Sequence, residues 1–116
     1  MNNFVKGRLA VFGKKALSTS ETVLNSYLLA ESCIQNKTEG AFIECGVFCG
    51  TQIAAMAFAA QQYKDNRKIH LFDSFEGIPQ AGPNDDESIT SCIGKGDGKG
   101  ALITTGISAS SVKAVK

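Results

Sequence analysis

One stretch of about thirty residues constrains the fold more than any other. Ala41-Phe42-Ile43-Glu44-Cys45 is rich in strand formers and stops at Gly46. From Gly50 to about Tyr63 strong helix formers dominate, with Ala54, Ala55, Met56, Ala57, Ala59 and Ala60 giving a helix that is apolar over much of its surface. After the polar connection Lys64 to Arg67, the run Lys68-Ile69-His70-Leu71-Phe72-Asp73 reads as a second strand. Strand, glycine turn, helix and strand make a βαβ unit, and its right-handed crossover sets the two strands parallel. A parallel sheet is covered by helices on both faces.

The flanking segments fit that frame. Ser18 followed by Glu21 has the spacing of a capping box. Val23, Leu24, Tyr27, Leu28 and Ile34 then recur at helical spacing, which predicts a helix over 18–36 and a candidate cover for the second face of the sheet. Asn36 to Gly40 supplies the stop. Residues 1–17 carry Lys6, Arg8, Lys14 and Lys15 without an acid, and read as a solvated basic segment leading into that helix rather than a transit peptide. Beyond Asp73 the periodicity ends. Residues 74–108 hold both prolines, the acidic Asp85-Asp86-Glu87 and the glycine-lysine stretch Gly94 to Gly100, and read as a lid-like loop. Gly96-x-Gly98-x-x-Ala101 satisfies a nucleotide-type spacing, yet no strand precedes it. Ser110-Ser111-Val112 looks like the start of a helix. The expected class is α/β, a Rossmann-like doubly wound parallel sheet. Such a sheet usually has about five to seven strands. The 116 residues read as the N-terminal part of one domain.

Composition excludes several functions. Twelve Lys and Arg against eleven Asp and Glu leave a net charge of +1, without the basic excess of a dedicated nucleic-acid binder. The longest apolar run, Ile53 to Ala60, is eight residues. A bilayer span needs roughly 18 to 20. A cytoplasmic chain is expected, with Cys33, Cys45, Cys49 and Cys92 as free thiols. They form no CxxC pair, and His70 is the single histidine, so no Cys/His zinc site of usual spacing can be assembled. Phe42 and Phe72 are expected in the core, and His70 as an ordinary sheet residue.

In an open α/β sheet, ligands bind beyond the carboxyl ends of the strands. Glu44 sits there on the first strand, and Asp73 ends the second. Gly46 and Gly50 allow a tight turn, and the helix beginning at Gly50 turns its free N–H groups to the same crevice. An anion acceptor beside anion-binding amides suits the ammonium and carboxylate of an amino acid. A terminal acid on the neighbouring strand suits the two hydroxyls of a ribose. S-adenosylmethionine joins these two halves in one molecule. The rival is a nicotinamide or flavin dinucleotide, whose fingerprint is G-x-G-x-x-G. Here the spacing is Gly46-x-x-x-Gly50, Phe48 fills the middle, and Glu44 would repel a pyrophosphate. A second rival is a non-catalytic pairing module working through its sheet edge.

Glu44-Cys45-Gly46-Val47-Phe48-Cys49-Gly50, followed by Asp73-Ser74-Phe75-Glu76-Gly77-Ile78-Pro79, resembles the macrocin-type (TylF-like) O-methyltransferases of the class I S-adenosylmethionine-dependent superfamily. The family pattern runs close to E-C-G-V-W-R-G and D-S-F-E-G-L-P, and the resemblance covers about residues 18 to 87. Phe48 replaces the usual Trp and keeps an aromatic, whereas Cys49 replaces a basic residue. The resemblance implies methylation of a sugar or other small-molecule hydroxyl. It implies cofactor contacts at Glu44, Gly46, Gly50, Thr51 and Asp73, with Ser74 and Phe75 on the adenosine side. The catalytic base, and the carboxylates for a divalent metal such as Mg2+, are expected outside this chain. A small-molecule acceptor is the expected partner, with homo-oligomer formation left open.

Overall fold

The helix opening at Asn3 begins with a side-chain cap, since Asn2 Oδ1 accepts the Val5 N–H at 2.9 Å. In the computed structural model, which describes residues 1–14, 18–79, 81–82, 84–86, 88 and 109–115, this helix is α1 (Asn3–Gly13). It is followed by α2 (Ser20–Gln35), β1 (Phe42–Cys45), α3 (Thr51–Gln62), β2 (Ile69–Phe72) and α4 (Val112–Val115). The chain divides into two units, Met1–Asp73 and Ser74–Lys116. Among the described residues no helix is long and apolar enough to cross a membrane.

In the first unit β1 and β2 are parallel, with Phe42 opposite Ile69 and Cys45 opposite Phe72. The ladder extends at both ends, where Phe42 N–H donates to the Lys68 carbonyl at 3.0 Å and Gly46 N–H to the Phe72 carbonyl at 2.8 Å. The helix between the strands completes the expected βαβ unit. Two four-residue strands are marginal alone, so the helices must supply most of the core. They do so around Phe58. Its ring lies 5.9 Å from Tyr27 of α2, and 6.0 and 6.2 Å from Phe4 and Phe12 of α1. Val5, Leu9, Val23, Ala30, Ile53 and Ala59 are buried with it. Ala55 and Ala59 are fully buried, and side chains that small let α2 lie close against α3.

Three expectations change. Residues 1–17 contain a helix, not only a basic lead-in, because Val5 and Leu9 share one helical face that buries against the other helices. The cap of α2 is Thr19 rather than Ser18. Thr19 is extended (ψ 162°), and its Oγ1 accepts the Thr22 N–H at 3.4 Å. Lastly, α2 packs on α3 and α1 rather than on the second face of the sheet. Ile43, Cys45, His70 and Phe72, which alternate away from Phe42 along the strands, are exposed, so Phe72 is not a core residue.

Phe42 is buried, as expected, and Arg67 closes over it. The guanidinium carbon stands 4.6 Å from the ring centroid. Arg67 is held by a fork onto Asp65, Nε to Oδ1 at 2.9 Å and Nη2 to Oδ2 at 2.8 Å, and this contact keeps the Asp65 carboxyl below its ordinary range. On the far side, Tyr27 and Tyr63 both donate to Glu31 Oε1, at 3.3 and 2.8 Å, tying α2 to the end of α3.

In the second unit Ser74 Oγ accepts the Glu76 N–H at 3.2 Å, and Phe75 and Gly77 are left-handed, at φ 59° and 88°. The expected helix start at Ser110 to Val112 is realised as α4. Gly94 to Gly100, Glu87 and Cys92 lie outside the described residues, as does most of the lid-like segment 74–108.

Candidate functional site

The turn from β1 into α3 is built on positive backbone angles. Gly46 and Gly50 have φ of 82° and 73°, and Phe48 between them has φ of 47°. A Cβ on Gly46 would meet nothing within 4 Å. The glycine is therefore required by its backbone angle and not by crowding. Gly50 N–H donates to the Val47 carbonyl at 2.8 Å, and the Val47 side chain is buried, which anchors the loop. A phenylalanine in the left-handed region costs about 1 kcal/mol, so something must hold it there. Asp73 does: the Phe48 N–H donates to Asp73 Oδ2 at 2.9 Å. The acid after β2 thus organises the loop after β1.

Glu44 shares the α3-facing side of β1 with buried Phe42 and is itself half-buried. Its Oε2 is buried and has no hydrogen-bond partner among the described residues. Burial pushes the Glu44 carboxyl above its ordinary range. The nearby Ile53 N–H, in the first turn of α3, opposes that shift, while the negative charge of Asp73 reinforces it. Sequence reasoning gave the acid and the helix amides separate tasks. Here they are neighbours, since the Ile53 amide of the first turn acts on the Glu44 carboxyl.

A cavity of about 140 Å³ opens beside Glu44, lined by Ser18, Gly46, Phe48, Thr51 and Gln52 as well as by Glu44 itself. That is room for one end of a ligand rather than for a whole nucleoside, which needs roughly 300 Å³ or more. Chemically the cavity offers the Glu44 carboxylate, with a second carboxylate, Asp73, near enough to raise its pKa. Such a place attracts a cation.

A model of the macrocin-O-methyltransferase (TylF) family matches residues 12–96, well over half of the chain. The chain belongs to this family. The match includes both strands, α2, α3 and the loop between Glu44 and Thr51, so the cavity lies wholly within the matched region. Membership carries the general activity of an O-methyltransferase. No curated protein matches the chain, and no solved structure does.

Of the residues expected in a macrocin-O-methyltransferase site, Glu44, Gly46 and Thr51 come together at the cavity, and Gly50 caps α3 next to it. Asp73 joins them through Phe48 and through its charge on Glu44. Ser74 and Phe75 belong to the second unit and are described only within it. Sequence reasoning missed Ser18, Gln52 and the Phe48 amide. The spacing of Ser18 to Glu21 marks a helix cap rather than a lining residue, and nothing in the one-dimensional pattern marks Gln52 apart from its place two residues after Gly50. Among the described residues no group of three His, Cys, Asp or Glu is placed to hold a metal ion.

Proposed function

We propose that the βαβ unit is the opening of a Rossmann-like doubly wound sheet that binds S-adenosylmethionine and serves transfer of its methyl group to a sugar or other small-molecule hydroxyl. The observation that carries this reading is Glu44, a half-buried carboxylate that lines a small cavity at the turn between β1 and α3 and has one buried oxygen without a hydrogen-bond partner among the described residues. Asp73, placed after the neighbouring strand, suits the ribose hydroxyls. Gly46, Gly50 and Thr51 shape the turn between them. When bound, the cofactor supplies an electrophilic methyl group on a positively charged sulfur. The chain's own contribution is to orient that donor. Glu44 and Asp73 act as fixed acceptors rather than as proton carriers, and their negative charge favours a cationic ligand over a dinucleotide pyrophosphate.

Isothermal titration of the chain with S-adenosylmethionine and, separately, with NAD tests the reading. Saturable heat with the first and none with the second is the expected result. Binding of NAD alone, or of neither, would remove the proposal. The pairing-module reading predicts a mass that rises with concentration in sedimentation and no cofactor heat.

A further inference from the structure

The cavity beside Glu44 holds one more polar side chain, and it is fixed from outside the cavity. Gln52 is the second residue of α3 and lines the space. The Ser26 hydroxyl of α2 stands 2.9 Å from Gln52 Oε1 and 3.1 Å from the Thr22 carbonyl, and shares its one proton between these two acceptors. Ser26 is 7% exposed, so its hydroxyl is sunk between the two helices. Ordering a free glutamine side chain costs roughly 1.5–2 kcal/mol. Clamping one end during folding removes most of that cost from ligand binding.

An amide that accepts at Oε1 has its two Nε2 hydrogens left to give. Glu44, a carboxylate and so an acceptor, lines the same cavity. A donor and an acceptor on one small cavity match the two ends of an α-amino acid, with carboxylate toward Gln52 and ammonium toward Glu44. A lysine or arginine in place of Gln52 would pair with Glu44 and compete with the ligand for it. A neutral donor avoids that self-closure.

We propose that Gln52 is a specificity-determining contact for the carboxylate of the ligand's amino-acid end, and that Ser26 is its positioning residue. This deepens, and rests on, the cofactor reading above.

The test compares S-adenosylmethionine with its decarboxylated form, which keeps the nucleoside, the sulfonium and the ammonium. Wild type should bind the parent about tenfold more tightly than the decarboxylated ligand. Gln52→Leu should erase that preference, weakening the parent about tenfold and leaving the decarboxylated ligand unchanged. Ser26→Ala should lose part of the preference in the same selective way. The isosteric Gln52→Glu, which sets a like charge against the carboxylate, should invert it. Equal weakening of both ligands by Gln52→Leu and Gln52→Glu, or no effect on either, overturns the assignment while leaving the cofactor reading standing. A wild-type chain that binds neither ligand overturns the cofactor reading and the assignment with it.

Discussion

Phe48 and Asp73 hold each other: the amide of a left-handed phenylalanine donates to the carboxylate that follows the neighbouring strand, at 2.9 Å. The loop and the acid are therefore one mechanical unit. Asp73→Asn keeps an acceptor for the Phe48 amide and should unfold close to the wild-type temperature. Asp73→Ala should release the loop and cost about 1.5–3 kcal/mol, the usual range for a hydrogen bond to a charged group. Both should abolish the heat of S-adenosylmethionine binding. Thermal melts beside calorimetry separate the two effects, and equal stability of the two variants would refute the coupling.

Glu44 makes folding pH-dependent in a direction that can be worked out. Burial raises its folded pKa above the ordinary 4.5, so the folded chain binds the proton more tightly than the unfolded one. Stability from this group is greatest below pH 4.5 and declines as pH rises from 4.5 through the raised value. Glu44→Gln should flatten that decline, melt a few degrees higher than wild type at neutral pH, and lose cofactor binding. A Gln variant less stable than wild type at pH 7 would contradict the account.

Phe58 is the shared partner of three aromatic rings on two other helices. Phe58→Ala should cost about 3–5 kcal/mol, most of what a chain of this size has to spare. The expected readout is loss of a cooperative thermal transition. A variant that still melts cooperatively near the wild-type temperature would show that the helices pack without it.

Gly46 tests angle against space. Because a Cβ there meets nothing, Gly46→Ala should fold with a penalty of about 1 kcal/mol from the left-handed backbone alone. Gly46→Asn, which tolerates that region better, should recover part of it in urea titrations. Identical losses for both would point to crowding instead.

The βαβ unit was legible because its signals are local. Strand formers between glycines, an alanine-rich helix and a second apolar run lie within two residues of the observed boundaries. Glu44 and Asp73 were legible for the same reason, each closing a strand. Partners were not legible. The apolar stripe of α2 says that it buries, but only the fully buried Ala55 and Ala59 of α3 decide against what. Phe4, Val5, Leu9 and Phe12 recur at helical spacing, but Gly7, Lys6 and Arg8 interrupt them, and it is Phe58 that receives the two rings. Gln52 gains its meaning from Ser26, twenty-six positions earlier, and no short-range pattern encodes that pairing.

The aromatic contacts of α1 bear on how the protein is handled. Cutting the sequence back to the familiar strand–helix–strand kernel would strip two rings from a third and leave a greasy hollow open to water. Trimmed versions beginning near Ser18 should come out of cells as aggregates, whereas those that retain Phe4 and Phe12 should purify as discrete species.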